Sequence, residues 1–302
     1  MRIGWFPLSA ATTPSLDTVV DLVINAERRG YSTVWLQSRG FDALTVFAVA
    51  GSRLRTIEVG TFVPPTYTRH PSVLAQQALS TQAAVGNRLA LGIGLSHRVL
   101  MERGLGFDWS HPVRHMREYL SCLGPFLAGE AVTFHGQDFN IENYQIAALD
   151  AKPPSVLVAA IGPQMLKLTG QMADGTALWL GGAEYIRTSA VPVISEAAAS
   201  AGRSAPRIVA GLPICVTDRA AEVRETAAAT FERYGQLPSY RAALDKEGVG
   251  SPADVALIGN EREVSDGIHR LADAGATDLA AGIFTPSGED EERTHALLKT
   301  FL

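Results

Sequence analysis

The stretch that most constrains this chain is 155–180, SVLVAAIGPQMLKLTGQMADGTALWL. It opens with an apolar run, Val156 to Ile161, short enough for a strand buried on both faces. Gly162 interrupts the run, and Pro163 follows where the first turn of a helix tolerates a missing N–H. Met165, Leu168, Thr169 and Met172 then recur at helical spacing, and after the Asp174-Gly175 turn a second apolar strand spans Ala177 to Leu180. Strand, helix and strand this close together make a βαβ unit with parallel strands. The turn leaves the N–H groups of Ile161, Gly162 and Gln164 free at a helix N-terminus, where backbone donors and the helix dipole suit a phosphate. The same residues also read as a plain strand-to-helix turn in which Gly162 relieves backbone strain.

The alternation continues on both sides. Ile3, Trp5 and Phe6 read as a first strand, and Ser15 caps a helix that ends at Gly30. Thr33 to Gln37, Ile57 to Val63 and Leu89 to Leu95 read as strands two to four. Helices fall at Asp42 to Ala50, after His70-Pro71, and from Pro112. Phe134 to Ile146 alternates like a small hairpin placed before strand five. Glu184 to Ala201 is helical, Ile208 to Val216 a seventh strand, and 219–262 an insertion too long and polar for a simple connection. Asn260 with Glu263 forms a capping box, Asp278 to Phe284 an eighth strand, and Glu291 to Leu302 a closing helix. Eight strands alternating with helices predict one (β/α)₈ TIM barrel over 1–302, with insertions about 130–150 and 219–262. A doubly wound open sheet has the same strand count and stays open at this point.

Composition narrows the partners. The 302 residues carry a net charge of -5, so no basic face advertises nucleic acid or an anionic membrane. No apolar run reaches the length of a membrane span. The N-terminus lacks a signal peptide's charged and apolar regions. Two cysteines without a CxxC pattern fit a reducing compartment. The expectation is a cytoplasmic protein acting on a small molecule.

In a barrel the chemistry belongs at the C-terminal strand ends. Those ends carry Gln37-Ser38-Arg39, Phe62-Val63, Leu95-Ser96-His97, Ile161-Gly162 and Trp179-Leu180. No carboxylate pair appears among them, which disfavours glycosidase chemistry and carboxylate-bound magnesium. No lysine sits there for a Schiff base. His111 and His115 have i, i+4 spacing but lack the Glu of HExxH and a third ligand, so no metal is expected. Gly94-Leu95-Ser96-His97-Arg98 misses the GxSxG elbow at its last position. Gly92-Ile93-Gly94 holds two of the three glycines of a dinucleotide fingerprint. What remains is a mouth of apolar, aromatic and small residues with one histidine, one arginine and a phosphate nest. That suits a planar phosphorylated cofactor with its own reactivity.

Several segments, in order, resemble the luciferase-like monooxygenase superfamily, and within it the actinobacterial branch that uses coenzyme F420. They are VWLQSRGFDALT, VGTFVPPTYTRHPSVLAQQALSTQAA, RLALGIGLSH, PVRHMREYL, VLVAAIGPQMLKLTGQMADGTALWL, AGLPICVTD and YGQLPSYRAALDKEG. The resemblance implies a barrel with the cofactor at its C-terminal mouth. It places the ring against a bulge at Phe62-Val63, often with a non-prolyl cis peptide, and the phosphate at Ala159, Ala160, Ile161 and Gly162. The remaining expected cofactor contacts are Gln37, Ser38, Gly94, Leu95, Ser96 and Trp179. Ser38 and Arg39 stand where better-known deazaflavin enzymes carry an Asp-His pair, and His97 where one carries a catalytic Glu. Gly181-Gly182-Ala183 lacks the lysine that binds a sugar phosphate in that branch.

The resulting expectation is hydride transfer between C5 of F420 and a small organic substrate. A hydride delivered to a polarised double bond leaves a carbanion or alkoxide, and His97 serves as the general acid that protonates it, with Arg39 as the holder of an anionic substrate or of the cofactor's acidic tail. Trp179 walls the ring pocket. An FMN monooxygenase fed by a separate reductase, a non-catalytic F420 or flavin carrier, and a metal-free barrel isomerase are the other readings. The family suggests a homodimer.

Overall fold

Apolar strands that alternate with helices have to bury both faces, and here they do so by closing on themselves. The computed structural model describes residues 1–147 and 150–302. Its strands are β1 (Arg2–Trp5), β2 (Thr33–Leu36), β3 (Glu58–Thr61), β4 (Leu89–Ile93), β5 (Val132–His135), β6 (Asn140–Tyr144), β7 (Ser155–Val158), β8 (Gly175–Trp179), β9 (Arg207–Val216), β10 (Leu257–Gly259) and β11 (Asp278–Ile283). β1, β2, β3, β4, β7, β8, β9 and β11 pair in parallel, and the pairings β8–β9, β9–β11 and β11–β1 shut the ring. The closure decides for the (β/α)₈ barrel over the open sheet.

Side chains fill the barrel. Phe6, Trp35, Phe62, Leu157 and Val209 form its interior cluster with Ala90, Ala177 and Ala280. Trp35 is wholly buried. A Cβ on Gly4 would lie 2.6 Å from its indole nitrogen, and one on Gly60 would overlap its ring. Both strands therefore need glycine to admit the indole.

The floor is ionic. Arg207, Glu58, Asp278 and Arg2 all begin strands, so they meet at the N-terminal end of the barrel. Arg207 donates to Asp278 Oδ1 and to Glu58 Oε2, each at 2.6 Å. Its guanidinium also sits 5.4 Å from the Trp35 ring centroid.

Helix starts follow the expected chemistry. Ser15 accepts from the Thr18 N–H, Asp42 caps Ala43–Ala50, His70 caps Pro71–Ala84, and Asn260 and Glu263 form the capping box. Elsewhere the chain departs from the expected pattern. Glu184 to Ala201 is not one helix but a short turn, Ala183–Tyr185, a π-helical segment, Ile186–Ala190, and a helix, Val191–Ser200. Pro192 explains the break, since it has no N–H for the preceding turn. Gly175 belongs to β8 rather than to a turn, where a Cβ would strike the Arg207 carbonyl. The hairpin is β5 with β6, and residues 148 and 149 of the expected 130–150 insertion lie outside the described residues. Within 219–262 stand two helices, Ala220–Gly235 and Pro238–Glu247. The short β10, absent from the sequence reading, pairs with the outer end of β9.

Candidate functional site

The ends of β3, β4 and β7 converge on a small apolar platform. The Phe62-Val63 peptide is cis, as the resemblance led one to expect. A Cβ on Gly94 would lie 2.6 Å from Val63 Cγ2 and 3.2 Å from Ala159 Cβ, so only glycine lets these three strand ends pack together. The loop is pinned there, because Gly94 N–H donates to the Pro64 carbonyl at 3.1 Å and Thr66 N–H to the Gly94 carbonyl at 2.8 Å. Phe62 turns its ring inward, 4.9 Å from Phe6 and 5.9 Å from Trp35, and helps to fill the barrel. Trp179 stands beside it, edge-on to Phe6 at 5.5 Å.

Two strand ends hold non-glycine residues with left-handed backbone, Ser96 at φ 64° after β4 and Leu180 at φ 57° after β8. Such conformations are uncommon and concentrate where a site is held in shape. Ser96 turns the chain so that His97 enters the mouth. Leu95 is half-buried beside it.

The turn after β7 separates its two readings. Ala159 N–H donates to the Ile93 carbonyl at 2.8 Å, and Ala160 N–H points to Thr176 Oγ1 at 3.4 Å. The N–H groups of Ile161, Gly162 and Gln164 meet no acceptor among the described residues. Gly162 has an ordinary extended backbone, φ -87° and ψ 151°, and a Cβ there would meet nothing within 4 Å. Strain and crowding are therefore not what this glycine relieves. It leaves open space before three free donors at a helix N-terminus, which fits a phosphate.

Beyond β2, Gln37 Nε2 donates to the Leu8 carbonyl at 3.2 Å. The Ser38 hydroxyl is buried without a partner among the described residues. Arg39 is exposed and enters no ion pair among the described residues. A planar cofactor fits these features: a small-residue platform, an orphaned hydroxyl and a donor-lined gap.

The helical hairpin 220–247 closes the mouth from above. Its turn presents Tyr234, 5.8 Å from the His97 ring, and Tyr240, 6.1 Å from it, both roughly edge-on. Burial and the nearby Arg233 push the His97 pKa down, so the imidazole is neutral at neutral pH. Glu247 ties the hairpin to the barrel by accepting from Tyr185 N–H at 2.7 Å, and Lys246 Nζ donates to Ser189 Oγ at 3.0 Å. A side chain on Gly182 would overlap the Glu247 carboxylate.

The luciferase-like monooxygenase model matches residues 1–278. The chain belongs to that family. It is accordingly an enzyme, an oxidoreductase on the luciferase-like barrel. It is 26% identical over 303 residues to a 5,10-methylenetetrahydromethanopterin reductase of Methanolobus tindarius, covering 90% of this chain and 91% of that one. It is 25% identical over 290 residues to an F420-dependent glucose-6-phosphate dehydrogenase of Nakamurella multipartita, covering 89% and 82%. Among solved structures the same barrel recurs in an F420-dependent secondary alcohol dehydrogenase in complex with an F420-acetone adduct. That match has TM-score 0.81 and 16% identity, over 100% of this chain and 98% of the other. It recurs also in the oxygenating constituent of 3,6-diketocamphane monooxygenase of Pseudomonas putida with FMN, at TM-score 0.76 and 16% identity over 99% and 96%.

Against this luciferase-like frame, the residues that sequence reasoning missed are Tyr185, Arg233, Tyr234, Tyr240 and Glu247. YGQLPSYRAALDKEG was visible as a family segment, yet nothing in its spacing places it over His97. A cavity of about 490 Å³ lies to one side, lined by Tyr67, Arg69, Phe107, His111, Arg114 and Phe139 among others, and by none of the expected site residues. The paired histidines belong to its wall: His115 bonds Thr66 Oγ1 at 3.0 Å and stacks on Tyr67 at 3.9 Å. No helix among the described residues is long and apolar enough to cross a membrane.

Proposed function

We propose that this protein is a coenzyme F420-dependent oxidoreductase that moves a hydride between the deazaflavin C5 and a small organic substrate. The observation that carries this reading is the gap at Gly162, three free backbone donors facing open space at a helix N-terminus. It lies on a chain whose curated relatives include an F420-dependent dehydrogenase. The Val63, Gly94 and Ala159 platform would carry the ring, the 161–164 turn the phosphate, and the Ser38 hydroxyl a polar atom of the cofactor. When bound, the deazaflavin supplies the hydride donor or acceptor.

The chain's own residues would supply the rest. Trp179 and the 220–247 hairpin keep water from the mouth. Arg39 binds negative charge at the rim. His97, neutral because of burial and Arg233, is set up to accept a proton. As a hydride leaves a carbinol carbon with its electron pair, the hydroxyl proton passes to the imidazole. In the opposite direction, the protonated ring returns it. Fluorescence titration of the purified protein with F420 and, in parallel, FMN is the test. Micromolar or tighter F420 binding with weak FMN binding is the expected result. Preference for FMN would move the protein to oxygen-dependent monooxygenases, and binding of neither would overturn the cofactor reading.

A further inference from the structure

We infer that Tyr234 and Tyr240 are positioning residues: their two rings, and no hydrogen bond, fix the direction in which His97 presents its imidazole to the substrate. This rests on the proton-transfer role given to His97 above. The backbone at His97 is firmly held. Its carbonyl accepts from the N–H groups of Leu100 and Met101, each at 3.0 Å, and Met101 is buried. The side chain is held differently. His115 bonds Thr66 Oγ1 at 3.0 Å, and His295 Nδ1 bonds the Tyr31 hydroxyl at 2.7 Å. The half-buried His97 side chain makes neither a hydrogen bond nor an ion pair among the described residues. A proton-transferring imidazole is ordinarily aimed by a partner on its far nitrogen. At His97 that task falls to packing.

The three rings form a triangle. Tyr234 lies 5.8 Å from the imidazole at 77°, Tyr240 6.1 Å from it at 62°, and the two tyrosines 5.1 Å apart at 63°. Roughly edge-on contacts at such separations are favourable and directional, and two of them restrict the imidazole more than one. The tyrosines are themselves braced. Tyr234 stands in the last turn of Ala220–Gly235, with Trp179 at 6.5 Å, and Tyr240 in the first turn of Pro238–Glu247. Leu237 N–H donates to the Tyr234 carbonyl at 3.1 Å and Arg241 N–H to the Leu237 carbonyl at 2.9 Å, so the short link between the helices fixes one ring relative to the other. The Arg241 guanidinium donates to the carbonyls of Val249 and Gly250 at 2.6 and 2.7 Å. The hairpin thus gives the imidazole the orientation that no partner in the barrel supplies. A ring free to swing would lose rate steeply, since a misplacement of about 1 Å can cost about 100-fold.

The order of the ring is the measurement, made on the full chain without cofactor. In protein with isotopically labelled histidine, NMR relaxation gives an order parameter for each imidazole. His97→Gln assigns the signal, and His115, stacked on Tyr67 and bonded to Thr66, is the internal control. The His97 ring should be as ordered as rigid backbone, about 0.85. In the Tyr234→Ala/Tyr240→Ala double variant it should fall below about 0.6 while His115 stays unchanged. In Tyr234→Phe/Tyr240→Phe, which keeps both rings, it should not fall. Should the double alanine variant not fold, the two single alanine variants decide, each with a partial loss of order. An imidazole equally ordered in the folded alanine variants overturns the inference, because the barrel alone would then seat it. A loss of order in the phenylalanine variant also overturns it, because a hydroxyl would then hold the ring, and so does a loss shared equally by His115. The proposed function is judged separately: binding of neither F420 nor FMN would end that reading and leave the ring measurement as it stands.

Discussion

The hydroxyl of Tyr185 donates to the carbonyl of Ile161 at 2.6 Å, joining the loop after β8 to the turn after β7. The same residue's N–H is held by Glu247. One buried tyrosine thus connects the capping hairpin to the turn that we propose holds the cofactor phosphate. Tyr185→Phe removes a single neutral hydrogen bond, worth about 1 kcal/mol. Cofactor affinity should fall roughly five-fold by that measure, with the melting temperature moving by only a few degrees. Fluorescence titration beside thermal melting checks this, and an unchanged Kd would show that the turn does not depend on the tyrosine.

Gly162 allows the sharpest separation of folding from binding. Its backbone is extended, which any residue adopts, and a Cβ would meet no neighbour within 4 Å. Gly162→Val should cost no more than about 1 kcal/mol of stability, because Gly162 is the N-cap of the following helix, where valine is a poorer cap than glycine. It should weaken cofactor binding at least about ten-fold by filling the gap in front of the free N–H groups, a loss of about 1.4 kcal/mol. Full affinity in a folded Gly162→Val protein would place the phosphate elsewhere.

His97 ties activity to pH with a definite sign. Burial, and after it Arg233, lower the pKa of the imidazole below its usual 6.5. In the direction that oxidises an alcohol, the neutral ring is the active form. Turnover should therefore be constant above that lowered pKa and fall as pH drops through it. Arg233→Gln removes one of the two causes, so the limb should move to higher pH, and His97→Ala should abolish it and lower kcat far more than cofactor affinity. A pH–rate profile for the three proteins decides the matter. An unchanged limb in His97→Ala would assign the proton to another group.

Much of the barrel was readable because its signals are local. Apolar runs of strand length, Gly and Pro punctuation and helix caps such as Ser15 and Asn260 depend on residues a few positions apart. The strand-to-helix turn at Gly162 was readable for the same reason, and its ordinary φ removes backbone strain as the reason for the glycine. What could not be read depends on closure. Whether Trp35 points inward follows from strand tilt, and the tolerance of Gly4 and Gly60 for its ring appears only when three strands stand side by side. Tyr234 and Tyr240 lie more than 130 positions from His97, and only the folded chain brings them together. Pro192 was visible, but helical spacing around it masked the break.

The floor of the barrel offers a contrast to the mouth. Arg207 is mostly buried against Glu58 and Asp278, and Asp278 is itself nearly inaccessible. Burial works against the guanidinium's charge, yet the two carboxylates more than restore it and hold its pKa above the ordinary value. Arg207→Met keeps the volume but leaves Glu58 and Asp278, the latter sealed from water, to the half-exposed Arg2 at 3.0 and 3.8 Å. Breaking a buried pair from one side costs about 3–5 kcal/mol. The denaturant midpoint should drop accordingly, with the slope of the transition unchanged. Cofactor affinity of the protein that remains folded should match the unaltered chain, because the N-terminal face of such a barrel serves stability and the C-terminal face the chemistry. Arg207→Lys, which keeps a cation on the floor, should lose less stability than Arg207→Met. An Arg207→Lys protein as destabilised as Arg207→Met would mean that Arg207 acts by its packing on Trp35 rather than by its charge.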